Sequence, residues 1–303
     1  MTTATNSHQS VVAPMRASYT TGSVTSRDGV TIGYRQLGHG PGLVMLHGAM
    51  ESAQSHMQLA EALADAFTVY LPDRRGRGMS GPAGDGYSMR TEVDDLDALL
   101  TATGAHCVFG VSAGGLIALQ AALTLPTIQK LALYEPALIV NHSISTAFVA
   151  RYDRELAEGK IAAALVTGML GARMGPPSLN VMPRWLLRRF TTMGMAQEEK
   201  QAKSGDVTMR MLAPTLHNDF HLVAQMAETL ERFQAIQAPT LLLGGSKSPK
   251  YLKNALDALE KTLPNARRVE FRGLNHGGSS DASATNRGSR PDLVAQALRQ
   301  FFS

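Results

Sequence analysis

The sequence has little cysteine and no long apolar run. Its 303 residues include one cysteine, Cys107, which excludes an internal disulfide framework and a metal site built from several thiolates. No apolar stretch is long enough to cross a bilayer, and the first residues lack the basic region and apolar core of a secretory signal. We therefore expect a cytoplasmic protein without a membrane span, in which residues 1–21 form a flexible tail.

Charge of one sign and aromatic side chains are also scarce. The net formal charge is +4, aromatic residues make up 6%, and no dense stripe of Lys and Arg is interleaved with aromatics, so nucleic-acid binding is not favoured. No cysteine cluster or His-x-x-x-Asp pattern has metal-ligand spacing, and the Gly-rich stretch 110–115 lacks the lysine of a phosphate-binding loop. We therefore expect no metal and no cofactor, and a small-molecule substrate as the partner. The sequence leaves open whether the chain forms a homodimer.

What the sequence does contain is an alternation of short apolar strands with helical patterns. It runs from about residue 22 to 136, after a hairpin signal at Asp28-Gly29, and resumes over residues 238–303. The predicted strands are 23–26, 30–35, 42–46, 67–71, 106–109, 130–136, 240–243 and 268–271. Such alternation predicts an α/β fold, with a mostly parallel central sheet flanked by helices. Residues 137–237 carry helical patterns without a comparable strand, which predicts a helical cap or lid inserted into the core.

One stretch carries a specific chemical signal. Ser112 lies between Gly110 and Gly114, where an apolar strand gives way to a helical run. A serine in this position can form a nucleophile elbow, a sharp turn that holds the hydroxyl clear of the sheet. The N-terminus of the following helix offers backbone N–H groups to a developing negative charge. We therefore predict Ser112 as a catalytic nucleophile.

Four local signatures together resemble the α/β-hydrolase superfamily, of the serine hydrolase or esterase type with a helical cap. In chain order they are His47-Gly48 after the third strand, the loop 73–80 (Asp-Arg-Arg-Gly-Arg-Gly-Met-Ser), the elbow around Ser112, and Asn275-His276-Gly277 after the last strand. The resemblance covers residues 22–136 and 238–303. It implies the family's sheet, with residues 137–237 as its cap.

The resemblance implies a base and an acid to accompany the serine. Of the nine histidines, His276 is the one in a Gly-rich loop after the last predicted strand, so we predict it as the base. The family most often places an acid after the strand 240–243, where this sequence has no carboxylate. Glu135, at the end of the preceding strand, is the predicted alternative, with Asp219 and Asp281 as lesser candidates. The site could also lack a carboxylate.

Two further roles complete the predicted site. The oxyanion hole needs two backbone N–H groups, one from Ala113 after the nucleophile and, by resemblance, one from Ala49 after His47-Gly48. Met50, next to Ala49, is predicted to line the substrate pocket. Trp185 is predicted to contact the substrate from the cap, because methionines and aromatics there suit a bulky apolar group.

These observations predict a carboxylic ester hydrolase. A serine at the elbow favours acyl transfer, whereas relatives that carry out alkyl transfer have aspartate there. We expect cleavage of an ester or lactone of a small, apolar substrate through an acyl-enzyme. Two alternatives stay open: C–C bond hydrolysis or other triad chemistry on the same fold, and a ligand receptor without catalysis.

Overall fold

The computed structural model describes residues 18–175, 177–283 and 285–303. Most of the predicted tail therefore lies outside the described residues. Eight strands form one sheet: β1 (Thr20–Thr25), β2 (Thr31–Gly38), β3 (Gly42–Leu46), β4 (Thr68–Pro72), β5 (Cys107–Val111), β6 (Lys130–Tyr134), β7 (Thr240–Gly245) and β8 (Ala266–Phe271).

The sheet is mostly parallel, as predicted. Its strand order is β1-β2-β4-β3-β5-β6-β7-β8, and only β2 runs antiparallel, against β1 on one side and β4 on the other, among the described pairings. The predicted tail is too long by two residues, because β1 begins at Thr20, which pairs with Gln36. β-Branched threonines at 20 and 21 suit an edge strand that has a hairpin partner.

Helices cover both faces of the sheet. The helices of the core are α1 (Met57–Glu61), α2 (Met89–Thr103), α3 (Ala113–Thr124), α9 (Lys250–Thr262) and α10 (Pro291–Phe302). Apolar residues of α2, α3 and α9 form one buried cluster with the sheet, and those of α1 and α10 form a second cluster on the other face. The central strands β3, β5, β6 and β7 are consequently buried over most of their length on both sides, and most of their residues are apolar.

A helical insertion, which we define as residues 137–237, separates β6 from β7. It contains α4 (Val149–Ala157), α5 (Ile161–Gly171), α6 (Arg184–Gln201), α7 (Met209–Leu212) and α8 (Leu216–Gln225), with short 3₁₀ turns between them. Its helices share a small core in which Tyr152 and Phe148 both pack edge-on against Phe220. Among the described helices of the whole chain, none is both long and apolar enough to span a membrane.

Buried charges attach the insertion to the core. Arg74 and Arg77, in the loop after β4, donate to opposite oxygens of Asp219 on α8, over 2.8 and 2.5 Å. Arg74 also donates to Glu92 of α2. All four side chains are almost fully buried, so these pairs fix the position of α8 against the sheet.

Candidate active site

Ser112 occupies a tight turn between β5 and α3. Its backbone has φ 52° and ψ −114°, in the left-handed half of the map that non-glycine residues rarely adopt. The turn brings neighbouring backbone very close: a Cβ on Gly110 would lie 2.6 Å from the carbonyl oxygen of Gly114, and one on Gly114 would lie 2.5 Å from that of Leu46. The Gly-x-Ser-x-Gly spacing is therefore required by this geometry.

The imidazole of His276 is hydrogen-bonded to a buried carboxylate. Its Nδ1 lies 2.8 Å from Oε2 of Glu135, across 141 positions of sequence. The other oxygen of Glu135 accepts the backbone N–H of Gly245 over 2.6 Å, and the side chain has no exposed surface. Because Nδ1 donates to the carboxylate, Nε2 is the imidazole nitrogen left for a substrate or a nucleophile. Glu135 follows β6 with φ 45°, a strained backbone. This turn directs its side chain toward the loop of residues 272–281 that carries His276, which we call the histidine loop.

Ser112 and His276 line one cavity of about 440 Å³. Ala49, Met50 and Ala113 line the same cavity, so the structure brings together the predicted nucleophile, the base, the oxyanion residues and one predicted substrate contact. The insertion contributes an apolar wall of Phe148, Val149, Leu165, Met169, Leu216, Phe220 and Val223. A pocket with few polar groups and many apolar ones suits a mostly apolar ligand held around one reactive bond.

The two predicted oxyanion residues stand at suitable backbone positions. Ala113 is the first residue of α3, where a backbone N–H has no acceptor within the helix. Ala49 follows Gly48, whose Cβ position would be 3.2 Å from Cβ of Ser112, so this loop lies directly against the elbow. Met50 has φ 55°, which turns the chain at the cavity wall.

An ion pair between the buried His56 and the half-buried Glu51 lies next to this loop, and Glu51 also lines the cavity. Glu51 accepts the N–H of Gly48 over 2.8 Å, the hydroxyl of Ser280 over 2.6 Å and His56 Nε2 over 3.1 Å. Burial alone would raise the pKa of Glu51 and lower that of His56, but their mutual attraction outweighs it. The pKa of Glu51 is well below its usual range, and the pKa of His56 is raised. The pair therefore joins the loop of residues 47–51 to the loop of residues 272–281 that carries His276.

The imidazole of His47 has a structural role in the loop after β3. Its Nε2 accepts the N–H of Arg74 over 3.1 Å, and its Nδ1 donates to the carbonyl of Gly48 over 2.9 Å. Burial, with the nearby charges of Arg77 and Arg74, holds the pKa of His47 well below its usual range. The ring is therefore neutral, and its two hydrogen bonds join the loop of residues 47–51 to the loop after β4.

Comparison with known proteins decides the family. A family model described as serine aminopeptidase, S33, matches residues 41–295. The chain belongs to this family of α/β-hydrolases. The resemblance read from the sequence is thereby confirmed, together with the fold class.

Proteins similar in sequence or structure support the assignment of this chain as a hydrolase. It is 30% identical to a pimeloyl-[acyl-carrier protein] methyl ester esterase of Stenotrophomonas maltophilia, over 69% of this chain and 83% of that one. It is 32% identical to an α/β hydrolase of Sphaerobacter thermophilus, with a TM-score of 0.74 over 93% of this chain and 100% of that one. An esterase of Thermogutta terrifontis, 19% identical, shares the fold with a TM-score of 0.69 over 93% and 98% of the two chains. The prediction that the chain is a carboxylic ester hydrolase is confirmed at the level of enzyme class.

The predicted place of Trp185 in the hydrolase is wrong. Trp185 lies outside the cavity with 64% of its surface exposed, because α6 turns Leu187 and Met195 inward. The lesser acid candidates are also engaged elsewhere: Asp219 binds Arg74 and Arg77, and Asp281 accepts the N–H of Gln58.

Sequence reasoning missed Glu51 and His56. A signal for Glu51 was present, since a glutamate three residues after Gly48 can reach back to its N–H as in a capping box. No local pattern pointed to the partnership of Glu51 with Ser280, because these residues are 229 positions apart.

Proposed function

We propose that this hydrolase cleaves a carboxylic ester through an acyl-enzyme, with Ser112 as nucleophile, His276 as base and Glu135 as the acid that orients His276. The observation that carries the proposal is that the serine and a carboxylate-bound histidine face the same cavity. Ser112 and His276 share one cavity, and His276 is bonded through Nδ1 to a carboxylate with no exposed surface. A serine hydroxyl becomes a useful nucleophile only with a base in reach, and the base needs a fixed tautomer.

The proposed reaction has two halves. Ser112 Oγ attacks the ester carbonyl while His276 Nε2 takes its proton, and the N–H groups of Ala113 and Ala49 stabilise the negative oxygen. His276 then gives the proton to the leaving alcohol, which leaves the acyl group on Ser112. A water molecule, deprotonated by His276, attacks this second ester, and the acid is released as Ser112 regains its proton.

The cavity supports an apolar substrate. Its volume of about 440 Å³ and its wall of Phe, Leu, Met and Val side chains favour an acyl chain or alcohol without charge along its length. The relative from Stenotrophomonas acts, by its name, on a methyl ester of a pimeloyl group. We propose by analogy that the substrate is a short alkyl ester of a carboxylic acid that carries an apolar chain, with residues 137–237 acting as a cap over it.

A labelling experiment tests the proposal. A fluorophosphonate probe reacts with an activated serine, and peptide mapping should find it on Ser112. Ser112→Ala should lose labelling and at least about 10³-fold in kcat on p-nitrophenyl esters, because the nucleophile is gone. Ser145 lines the same cavity, so Ser145→Ala is the matched control and should retain both. Turnover by Ser112→Ala close to that of the parent would overturn the proposed mechanism.

A further inference from the structure

We propose that the helical insertion carries a binding site for one divalent transition-metal ion, with zinc as the best fit, formed by Asp153, His217 and His221. The site is separate from the catalytic cavity. His217 and His221 are four residues apart on α8, so their side chains lie one above the other on one face of that helix. The sequence expectation of no metal overlooked this His-x-x-x-His spacing.

Asp153 of the neighbouring helix α4 completes the group. Its Oδ1 lies 2.7 Å from Nδ1 of His217, and its Oδ2 lies 3.4 Å from Nε2 of His221. The two imidazole rings are 4.3 Å apart between centroids. One ligand atom from each of the three residues falls within 4.8 Å of the others. Bonds of about 2.0–2.1 Å around a tetrahedral ion place ligand atoms about 3.3 Å apart, so small side-chain rotations suffice to admit one.

The backbone that carries the three ligands is held by buried neighbours. Tyr152, beside Asp153, has no exposed surface, and Leu216 and Phe220, which flank the two histidines, are also buried. The rings of Tyr152 and Phe220 pack edge-on at 5.1 Å, which sets the distance between α4 and α8. A metal site on two such helices is largely preorganised, so binding orders few additional groups.

The donor set selects the kind of ion. Two imidazole nitrogens and one carboxylate oxygen suit Zn²⁺ and its neighbours in the first transition row, whereas Ca²⁺ and Mg²⁺ prefer sites made of oxygen alone. The side chains of His217, His221 and Asp153 are 45%, 49% and 31% exposed. Water can therefore reach the ion and supply the fourth ligand of a tetrahedral site.

Binding there would act on the insertion as a whole. The opposite face of α8 presents Leu216, Asp219 and Phe220 to the catalytic cavity. An ion shared by α4 and α8 would cross-link the two helices that form this wall, outside the reach of the reacting groups. The expected effect is a stiffer insertion and a higher melting temperature.

The test uses the full-length protein without an affinity tag, stripped with a chelator and titrated calorimetrically with zinc chloride at about pH 7.5, where imidazoles are neutral. We expect one equivalent of zinc to bind and Tm to rise by several degrees. His217→Ala, His221→Ala and Asp153→Ala should each weaken binding by about tenfold or more. Magnesium should not compete.

Two controls separate this site from other causes. His142 faces one carboxylate, Glu228, at 3.7 Å, and is 92% exposed, so His142→Ala should bind zinc as the parent does. Ser112→Ala should also bind zinc normally, which separates this inference from the proposed catalysis. If the double variant His217→Ala/His221→Ala binds zinc as tightly as the parent does, the proposed site is overturned. The site would also be overturned if the parent bound zinc as tightly below about pH 6 as at about pH 7.5, because imidazole protonation should compete with the metal there.

Discussion

At the scale of single residues, Glu135 shows how much depends on one carboxylate. Its two oxygens have different partners: Oε1 accepts from the backbone of Gly245, and Oε2 accepts from Nδ1 of His276. The first bond fixes the carboxylate and the second fixes the ring. In the proposed mechanism this arrangement keeps the proton on Nδ1 and stabilises the imidazolium that forms when Ser112 is deprotonated.

Glu135→Gln should separate these two bonds. The amide oxygen can still accept from Gly245, but the amide NH₂ would face His276 as a donor and favour the other tautomer. We expect kcat on p-nitrophenyl esters to fall by about 10²–10⁴-fold with little change in KM, since the cavity wall is unaltered. Steady-state kinetics measure both constants.

The matched control is Glu228→Gln. Glu228 also faces a histidine, His142, but on the exposed side of the insertion, so this variant should keep the parent's kcat. A Glu135→Gln enzyme within a few-fold of the parent would show that His276 needs no charged partner.

At the scale of elements, the pair of Glu51 and His56 connects two loops that meet at the cavity. Glu51 binds Gly48 in the loop of residues 47–51 and Ser280 in the histidine loop (residues 272–281), while His56 Nδ1 lies 3.3 Å from the carbonyl of Ser279. The histidine loop is also tied to the segment around His56, because Asp281 donates its N–H to the carbonyl of Ser55. These bonds therefore hold the two loops at a fixed separation.

The pair predicts a pH dependence of stability with a definite sign. The raised pKa of His56 means that its charge stabilises the fold fully below the ordinary value of 6.5, and that this contribution is lost as pH rises through the raised pKa. The lowered pKa of Glu51 has the opposite sense: its contribution is present above 4.5 and is lost as pH falls through the lowered value. The pair therefore stabilises most between these limits.

His56→Gln tests that sign. Glutamine can still donate to Glu51 but carries no charge, so we expect the variant to have a lower free energy of unfolding than the parent at about pH 6. The difference from the parent should shrink as pH rises above 6.5 and through the raised pKa of His56, as measured by urea unfolding at each pH. Parallel pH profiles for parent and variant would show that His56 is neutral in the folded enzyme.

The elements themselves were largely predictable from sequence. The strand over residues 42–46 has the predicted bounds, because a short continuous apolar run is a local signal. Ser112 and His276 could be proposed from sequence, since each lies in a local glycine-rich pattern, and both line the cavity. The predicted substrate contact of Trp185 was wrong, because the face of α6 that is buried depends on packing against other helices, which the local sequence does not reveal. The link from Asp153 to His217 was missed because the two helices meet only in the folded chain.

At the scale of the whole molecule, the insertion is attached to the core by apolar contacts and by a group of buried charges. Asp219 binds both Arg74 and Arg77 at the junction, and its neighbours on α8 line the cavity. The same junction therefore holds the insertion on the core and shapes the site in which the proposed reaction takes place.

Asp219→Asn should loosen this junction. The substitution keeps the shape but removes one charge, which leaves two buried guanidinium groups with Glu92 as the remaining carboxylate among their described partners. Removing one member of a buried charge group costs about 3–5 kcal/mol, and urea unfolding should show this loss. Limited proteolysis should cut first within residues 137–237, because the insertion can then separate while the sheet stays folded. Asp206 is exposed on the same insertion, so Asp206→Asn should change stability by less than about 0.5 kcal/mol. If Asp219→Asn resists protease as well as Asp206→Asn does, apolar packing alone holds the insertion in place, and the arginines serve only to shape the loop after β4.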